Sequence, residues 1–567
     1  MICLLLPMKK LLLVGLIAAC ACQNKEYDVI IRGGTIYDGS GQPPVVADVA
    51  IQADTIAAIG NLSGAKGKKE IDAKSLAVAP GFINMLSHAG NSLIIDGNAQ
   101  SDIRQGVTLE VFGEISMGPY NEAMKEEDRQ MMKRYPDFAF EIDWTTLGEF
   151  LESLERRKIS PNVAAFVSAI TVRVHELKYE NRAPTPEELE RMKALVKQSM
   201  EDGAMGLTTA LIYAPANYAT TEELIELSKV AGSYGGMYIA HMRSEGNAIE
   251  QAVDETIRIA REAKLPAEIY HLKLGGEANW HKLDTVIKKI ERANAEGLRI
   301  TANMYNYPAG ATGLDAAMPP WVQEGGINQW IKNLRTPNIR KKVLAEMRKP
   351  SDKWENLMLL AGTPERVLLL GFSNDSLKRF IGKTLGEVAR IYGKSPEETA
   401  MDLVITDSTR VETAYFLMSE ENIKRQIALP YVSFGSDAAA PAAEGAFLKY
   451  KDHPRAYGNF ARLLGKYVRE EKVISLEEAI RRLTSLPASH LQLKKRGSLT
   501  QGYFADVVVF DPATIQDHAT FEKPAQYATG MKHVFVNGTQ VLADGEHTGA
   551  RPGRVVRGPG WKKKSKD

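Results

Sequence analysis

The chain has 567 residues, of which 44% are hydrophobic and 25% charged, and its formal net charge is +1. This length is ample for a large domain with a smaller companion, and the near-zero charge argues against a nucleic-acid-binding surface. The cysteines are Cys3, Cys20 and Cys22. The mature fold is therefore predicted to have no internal disulfide, no thiolate ligand and no cysteine nucleophile.

Residues 8–22 have the pattern of an export signal. Lys9 and Lys10 precede an apolar run that ends in small residues and cysteine, and this run is too short to span a bilayer as a mature helix. Residues 17–20 resemble a bacterial lipoprotein box, although an ordinary cleaved signal is an alternative. We expect residues 1–22 to be a signal peptide, Cys20 to be lipidated, and the protein to contact the membrane of the bacterial cell envelope only through that anchor.

Both ends of the mature chain contain short strand-like segments separated by Gly-rich and polar turns. Four such segments lie within residues 27–76 and three more within 505–542. Two strand-rich ends around a long middle predict a small β-sandwich domain built from residues 23–77 and 496–567. The short basic tail, residues 561–567, is expected to be a solvated, frayed end.

Residues 78–495 alternate strand and helix patterns, as at 186–202 and 221–233, which is typical of an α/β fold with a parallel sheet. Eight strand candidates fit a closed (β/α)8 TIM barrel. They are 77–88, 108–114, 162–171, 205–211, 237–243, 267–273, 299–307 and 431–437. The stretch 308–430 is longer than one crossover, so we expect an insertion with helices of its own that could form a lid over the site.

Three of these strands end in a residue that can hold or serve a metal: His241, His271 and Asp437. Barrels of this type build their active sites at the C-terminal ends of the strands. Neutral imidazoles suit zinc, and a carboxylate can move the proton of a bound water. The three residues together indicate hydrolysis by a metal-activated water, although each alone could be a hydrogen-bonded core residue or a helix cap.

Eight segments in a fixed order carry a resemblance to a known family. They are 28–39 (DVIIRGGTIYDG), 80–83 (PGFI), 182–189 (RAPTPEEL), 203–213 (GAMGLTTALIY), 241–246 (HMRSEG), 435–437 (GSD), 453–458 (HPRAYG) and 502–511 (GYFADVVVFD). In this order and spacing they resemble the N-acyl-D-amino-acid deacylases (D-aminoacylases) of the amidohydrolase superfamily. The resemblance implies a metal-bearing barrel with a small β-sandwich, a Zn2+ cofactor, and removal of the acyl group from N-acyl-D-amino acids.

The resemblance also implies roles for single residues. His241 and His271 match the imidazoles of the family's tight zinc site, and Asp437 matches its catalytic aspartate. Arg455 matches the arginine that holds the substrate's α-carboxylate, which suits a guanidinium fork. Of the pair Tyr305 and Tyr307, one is expected to help bind substrate; packing is the alternative for each.

Two departures from the family pattern concern metal ligands. Where the family's first strand ends in His-x-His, Leu86 stands at the first position and only His88 remains, as a contact to the metal or substrate or as a plain wall residue. We therefore expect the weaker second metal position to be absent and one tightly bound ion to remain. The family's thiolate on the second strand is missing too. Glu114 is the obvious substitute, since zinc accepts carboxylates; an ion-paired acid is the alternative.

The leading hypothesis is a zinc-dependent amidohydrolase acting on a small N-acyl amino acid or dipeptide. Within the same superfamily, the alternative is a dipeptidase for peptides that contain a D-residue. From a different class, the lost ligands at positions 86 and 114 would also fit a non-catalytic surface-binding lipoprotein. Arg243, Glu245 and Lys273 closely follow the two histidines, either as supporting groups for the metal ligands or as solvated loop charges.

Overall fold

A computed structural model describes residues 25–563 of the chain. The predicted signal peptide, including Cys20, lies outside the described residues. Within residues 25–563, no helix combines the length and the apolar character needed to cross a membrane.

The described part of the chain contains strands β1 to β21, numbered in chain order. They are β1 (Glu26–Ile36), β2 (Val45–Gln52), β3 (Thr55–Gly60), β4 (Lys66–Asp72), β5 (Ala77–Pro80), β6 (Phe82–Ser87), β7 (Val107–Phe112), β8 (Asn162–Ala165), β9 (Val167–Ser168), β10 (Gly206–Ala210), β11 (Met237–His241), β12 (Ala267–Ile269), β13 (Ile300–Met304), β14 (Ala309–Gly313), β15 (Val367–Gly371), β16 (Glu412–Phe416), β17 (Val432–Phe434), β18 (Val507–Phe510), β19 (Met531–Val536), β20 (Thr539–Ala543) and β21 (Glu546–His547).

The α-helices of the same residues are numbered likewise. They are α1 (Gly90–Ile95), α2 (Gln100–Ile103), α3 (Glu122–Met132), α4 (Leu147–Arg157), α5 (Ala169–Leu177), α6 (Pro186–Asp202), α7 (Thr221–Ser233), α8 (Ile249–Ala263), α9 (Leu283–Ala295), α10 (Gly326–Arg335), α11 (Pro337–Met347), α12 (Leu357–Ala361), α13 (Leu385–Tyr392), α14 (Pro396–Asp407), α15 (Glu420–Ile427), α16 (Arg455–Arg462), α17 (Leu476–Leu483) and α18 (Ser485–His490). A π-helical stretch, Leu463–Glu470, continues α16.

Strands from both ends of the chain share one nine-stranded sheet. Its order is β21-β20-β19-β18-β5-β1-β2-β3, and β4 pairs with β1. The two ends meet where β5 runs antiparallel to β18, with Val78 opposite Val509. All nine strands belong to one sheet, so the two packed layers of a β-sandwich stay a prediction.

The middle of the chain supplies parallel strands. One run pairs β6-β7-β8 and another β9-β10-β11-β12-β13-β17, and β9 continues β8 after Phe166. A parallel bridge between Ser87 and Ala438 joins the end of β6 to the residues that follow β17. The carboxyl ends of all these strands therefore lie on one side, and the side chains that follow them come close together.

Glycine at position 81 lets the chain pass from the terminal sheet into the parallel strands. The predicted strand 77–88 is two strands, β5 and β6, that belong to different sheets. A Cβ at Gly81 would lie 2.1 Å from the hydroxyl oxygen of Thr108, so no larger residue fits this crossing. The change of sheet comes at residue 81, three residues later than the predicted boundary.

The helices α6 and α7 have the bounds predicted from the sequence. Thr185 and Glu188 form a reciprocal capping box at the start of α6, Pro186 occupies the first turn, and Gly203 ends the helix with φ +106°. These are the residues that favour helix starts and stops. Local signals therefore suffice to position this helix.

The stretch 308–430 contains a sheet as well as the predicted helices. Strands β14, β16 and β15 pair antiparallel in that order. Residues of β15, β16 and α10–α14 share a core around Trp330, Leu369 and Val404. Because this insertion has an apolar core of its own, it can present side chains to the site from outside the parallel strands.

Candidate active site

Three of the central side chains lie in turns that directly follow strands. Glu114 follows β7 with φ +63°, His271 follows β12 with φ +34°, and Asp437 follows β17 with φ +51°. Positive φ is uncommon for residues with a Cβ and clusters at functional sites. Gly113 makes the first turn possible, because a Cβ there would lie 1.8 Å from the Tyr270 hydroxyl.

Glu114, His241 and His271 form a buried group of potential metal ligands. The Glu114 Oε1 atom lies 3.0 Å from Nδ1 of His241 and 2.8 Å from Nε2 of His271. One donor atom from each residue lies within 4.8 Å of the others. Two imidazoles and one carboxylate are a known donor set for catalytic zinc and leave a position for water. The residues present therefore fit a zinc ion.

Glu245 and Lys273 support His271 from behind. The Glu245 Oε1 atom lies 2.8 Å from Nδ1 of His271 and 2.6 Å from the Lys273 ammonium. A partner on Nδ1 fixes the ring so that Nε2 faces the ligand group, as around protein-bound metals. Arg243 does not join this group and instead pairs with Glu255 at 2.9 Å.

The charges of this group favour a bound cation. Burial disfavours ionised Glu114, but the hydrogen bonds with His241 and His271 hold its pKa well below the ordinary range. Burial and the Lys273 ammonium lower the pKa of His271, yet the carboxylates of Glu245, Asp437 and Glu114 outweigh them and raise it to about 9. Since zinc takes neutral imidazole, ion binding would release that proton.

His88, Glu114 and Asp437 make a second group of potential ligands. The His88 Nε2 atom is 3.1 Å from Asp437 Oδ1 and 3.5 Å from Glu114 Oε2. Leu86, at the position of the missing histidine, is fully buried in an apolar cluster. Three donors therefore meet here even without a ligand at residue 86, which the sequence did not lead us to expect.

Arg455 lies at the first turn of α16 beside Asp437. Its Nη1 is 2.8 Å from Asp437 Oδ2, its guanidinium lies 4.5 Å from the centre of the Tyr305 ring, and its buried Nε forms no hydrogen bond among the described residues. Burial raises the pKa of Asp437, but Arg455, His271 and His88 together hold it below the ordinary value. Asp437 is therefore ionised and able to accept a proton.

The two tyrosines after β13 diverge. Tyr305 lines the cavity above the ligand group, with its ring 6.4 Å from that of His271. Tyr307 turns away, and its hydroxyl donates to Asp517 at 3.3 Å. Only Tyr305 is placed to meet a substrate.

A cavity of about 930 Å³ opens above these residues. Side chains from the loops after the parallel strands and from the insertion line it. Its volume lies at the upper end of small-molecule sites.

Two supporting residues are not among those predicted from the sequence. Asn84 on β6 accepts a hydrogen bond from the Ser436 backbone N–H at 2.8 Å and donates to the Ser436 hydroxyl, which fixes the turn that carries Asp437. In the insertion, the carboxylate of Glu355 accepts from the Glu245 and Gly246 N–H groups at 3.0 Å and from the Ser244 hydroxyl. Asn84 adjoins the 80–83 motif, which is a usable signal, whereas nothing near Glu355 in sequence marks it.

Comparisons with known proteins agree over most of the chain. The sequence model of the amidohydrolase family matches residues 69–542. The D-aminoacylase of Alcaligenes xylosoxydans xylosoxydans is 34% identical over 535 residues, which cover 94% of this chain and 98% of that protein.

Two solved structures each match 94% of this chain and 100% of their own. One is a D-aminoacylase with a binuclear metal centre, at a TM-score of 0.77 and 32% identity. The other is N-acyl-D-glutamate deacylase from Bordetella bronchiseptica, complexed with zinc and a phosphonate inhibitor, at 0.78 and 28%.

Proposed function

Because the chain belongs to the amidohydrolase family, as its motifs predicted, we propose that it is a metal-dependent amidohydrolase that removes the acyl group from N-acyl-D-amino acids. The observation that carries this proposal is the buried group of Glu114, His241 and His271 beside the Asp437–Arg455 pair. Metal ligands, a proton acceptor and a carboxylate-binding cation then stand in one cavity, which is what hydrolysis of an N-acyl amino acid requires. The activities of the relatives in this family support the same reaction.

The family resemblance and the contacts support a role for each residue. Arg455, with an unsatisfied Nε, and Tyr305 would hold the substrate's α-carboxylate. A zinc ion held by Glu114, His241 and His271 would polarise the amide carbonyl and acidify the attacking water. Asp437 would accept the proton of that water and donate it to the leaving nitrogen.

We propose one tightly bound zinc ion. The group with His241 and His271 offers two imidazoles, which zinc favours, and all three donors are buried. The group with His88 offers one imidazole from a side chain that is 36% exposed, so we assign His88 to contact with water or substrate rather than to tight binding. We also propose that the parallel strands close into a (β/α)8 barrel, which the bridge from Ser87 to Ala438 supports.

We propose that the protein is anchored in the bacterial cell envelope through lipid on Cys20. The basic residues, the apolar run and the cysteine that follows this run support the proposal. Mass spectrometry of the native N-terminus tests it, since a lipid-modified terminus at Cys20 is expected. An unmodified terminus at Gln23 or beyond would identify a protein released without an anchor.

The activity is tested with zinc-loaded protein on N-acyl-D-amino acids, their L-enantiomers and dipeptides with a C-terminal D-residue. We expect hydrolysis of the N-acyl-D compounds and loss of activity when the ion is removed by a chelator. Hydrolysis of the dipeptides alone would favour the dipeptidase alternative. Protein that retains no stoichiometric metal and cleaves none of the compounds would indicate a binding lipoprotein.

A further inference from the structure

One wall of the cavity is apolar apart from the Arg410 guanidinium, which lies 4.9 Å from the centre of the Tyr213 ring. It consists of Ile115, Met131, Met132, Ile170, Ile212 and Tyr213, which we call the apolar wall. Ile115 directly follows Glu114, yet 57% of its surface is exposed. A contiguous apolar patch that is open to solvent beside a site commonly marks a place for an apolar ligand. The Tyr213 ring lies 5.3 Å from the His241 ring, edge to face. The wall therefore begins at the metal ligands themselves.

The strand order places the apolar wall opposite the carboxylate-binding residues. The wall comes from the chain after β7, β9 and β10, with Met131 and Met132 at the end of α3. Tyr305, Asp437 and Arg455 follow β13 and β17. Strands β11 and β12, which carry His241 and His271, lie between β10 and β13 in their sheet. On the other side, β6 lies between β7 and the residues that follow β17.

This arrangement assigns the two halves of a substrate. In an N-acyl amino acid the scissile amide separates the acyl group from the nitrogen that bears Cα and the carboxylate. When Arg455 holds the carboxylate, the amino-acid half lies toward β13 and β17. The acyl half then extends from the ligand group in the other direction, toward the apolar wall.

We propose that the apolar wall is an acyl-chain pocket and that the preferred substrates carry a large apolar acyl group rather than an acetyl group. This inference rests on the proposed function and extends it to the acyl half of the substrate. A two-carbon acyl group would leave most of the wall uncovered, whereas a medium-length alkyl chain would remove it from water, a gain that grows with each methylene. Met131 and Met132, which also line the cavity, suit such a chain, because their unbranched side chains adapt to irregular apolar ligands.

The test compares N-acetyl and N-octanoyl derivatives of the same D-amino acids with the full-length, metal-loaded protein. We expect kcat/KM to be higher for the octanoyl compounds by at least about 10-fold, the lower end of what one added methylene contributes in a hydrophobic pocket. Calorimetric binding of octanoate against acetate gives a readout that needs no turnover. Octanoate should bind more tightly by a similar factor.

Two isoleucines of equal exposure provide a matched pair of variants. Ile115→Thr makes the wall polar next to the ligand group and should reduce the ratio of octanoyl to acetyl kcat/KM, and octanoate binding, several-fold. Because the ratio is taken on one metal-analysed sample, a general loss of activity cancels from it. Ile391→Thr changes an isoleucine that is 58% exposed on helix α13, away from the cavity lining, and should change neither quantity.

The outcomes separate this inference from the proposed function. Equal or better turnover of the acetyl compounds would overturn the acyl-chain pocket and leave the deacylase proposal standing. Octanoate binding that depends on Ile115, without hydrolysis of any N-acyl amino acid, would support the pocket and overturn the deacylase. An octanoyl preference unaffected by Ile115→Thr would show that another wall of the cavity holds the chain and would overturn the assignment.

Discussion

The carboxylate of Glu114 occupies the strand end where the family pattern has a thiolate, and it contacts both histidines of the ligand group. Replacing it with the uncharged amide in Glu114→Gln removes the anion that balances the ion. We expect the affinity for zinc to fall by more than the roughly 10–100-fold that outer partners of metal ligands typically contribute. Chelator competition measures this. Glu223→Gln is the control, because Glu223 is also buried but pairs with Arg173.

A second substitution at this position tests the geometry rather than the charge. Glu114→Cys restores a thiolate, which zinc and cobalt both accept. With cobalt bound, this variant should show thiolate-to-metal charge-transfer absorption in the near ultraviolet, and the native protein should not. Unchanged zinc affinity in Glu114→Gln together with no such band in Glu114→Cys would exclude residue 114 as a ligand.

Arg455 contacts Asp437, so replacing it tests two roles, binding of the substrate's carboxylate and pairing with Asp437. If Arg455 binds the substrate's carboxylate, Arg455→Met should leave the metal content intact. It should weaken transition-state binding, calculated from kcat/KM, by about 2–5 kcal/mol, which is the range for breaking a desolvated charged contact. Amidation of the substrate's carboxylate should impair the native protein but barely affect the variant.

Arg462→Met is the control for this prediction. Arg462 lies at the other end of α16 and pairs with Asp517, so its loss should affect stability without changing the discrimination between acid and amide. If the native protein and Arg455→Met discriminate equally between the two substrates, Arg455 is only a partner of Asp437, and the N-acyl-amino-acid proposal weakens with it.

At the scale of elements, Glu355 links the insertion to the loop after β11. Burial and repulsion from Glu245 outweigh its hydrogen bonds and raise the pKa of Glu355 to about 7. A carboxyl group whose pKa is higher in the folded state favours folding when protonated, so its contribution is complete below pH 4.5 and is lost as the pH rises to 7. The Glu355 carboxyl should therefore cost the native protein stability across this window.

Glu355→Gln should remove that dependence. The difference in unfolding free energy between the variant and the native protein should grow by about 1–2 kcal/mol from pH 4.5 to 7. This change is smaller than a fully buried group would give, because Glu355 is partly exposed. Denaturant titrations at several pH values measure it. A difference that stays constant with pH would contradict the raised pKa of Glu355.

How far the sequence predicts these elements depends on where their determinants lie. Helix α6 was predictable because Thr185, Pro186 and Gly203 mark its ends locally. The predicted strand 162–171 ends early, because Ser168 caps helix α5 at Ala169 although the β-branched residues that follow favour a strand. Here a local helix cap outweighs the strand propensity of the residues that follow it.

The same distinction applies to the candidate site. Glu114, His241, His271 and Asp437 could be proposed together because parallel strands bring their carboxyl ends to one side. Tyr307 binds Asp517, which is 210 positions away, and Glu355 reaches the backbone of Glu245 from 110 positions away. No local pattern encodes such contacts. The sequence therefore neither distinguished the roles of Tyr305 and Tyr307 nor identified Glu355.

For the molecule as a whole, the C-terminal segment 551–563 joins the terminal sheet to the parallel strands. The tail that begins at Trp561 is exposed over residues 561–563, as expected. The expected fraying is wrong for Lys562, whose N–H donates to the Glu201 carbonyl at 3.0 Å. Further back, Arg554 and Val556 bond the backbone of Val163 on β8, at 3.0 and 2.7 Å. This segment, which we call the strap, therefore contacts strands that lie far from it in sequence.

Deleting residues 551–567 should loosen the parallel strands without touching the ligand group. Five backbone hydrogen bonds join the strap to residues 159–203: Gly553 to Ile159, Val163 to Arg554, Val556 to Val163, Gly558 to Gly203, and Lys562 to Glu201. At about 1 kcal/mol each, their loss should lower the unfolding free energy by about 3–5 kcal/mol. Deleting only residues 564–567 is the comparison, because that deletion leaves all five of these hydrogen bonds in place. Gly558→Val tests the strap in an intact chain, because its Cβ would lie 2.1 Å from the Ala204 carbonyl oxygen.

Thermal denaturation with metal analysis of the folded fraction should show a lower midpoint for the 551–567 deletion and for Gly558→Val, with unchanged zinc per molecule. Native-like midpoints in both would mean that the strap contributes no stability, and lost zinc in the folded fraction would mean that it also shapes the site.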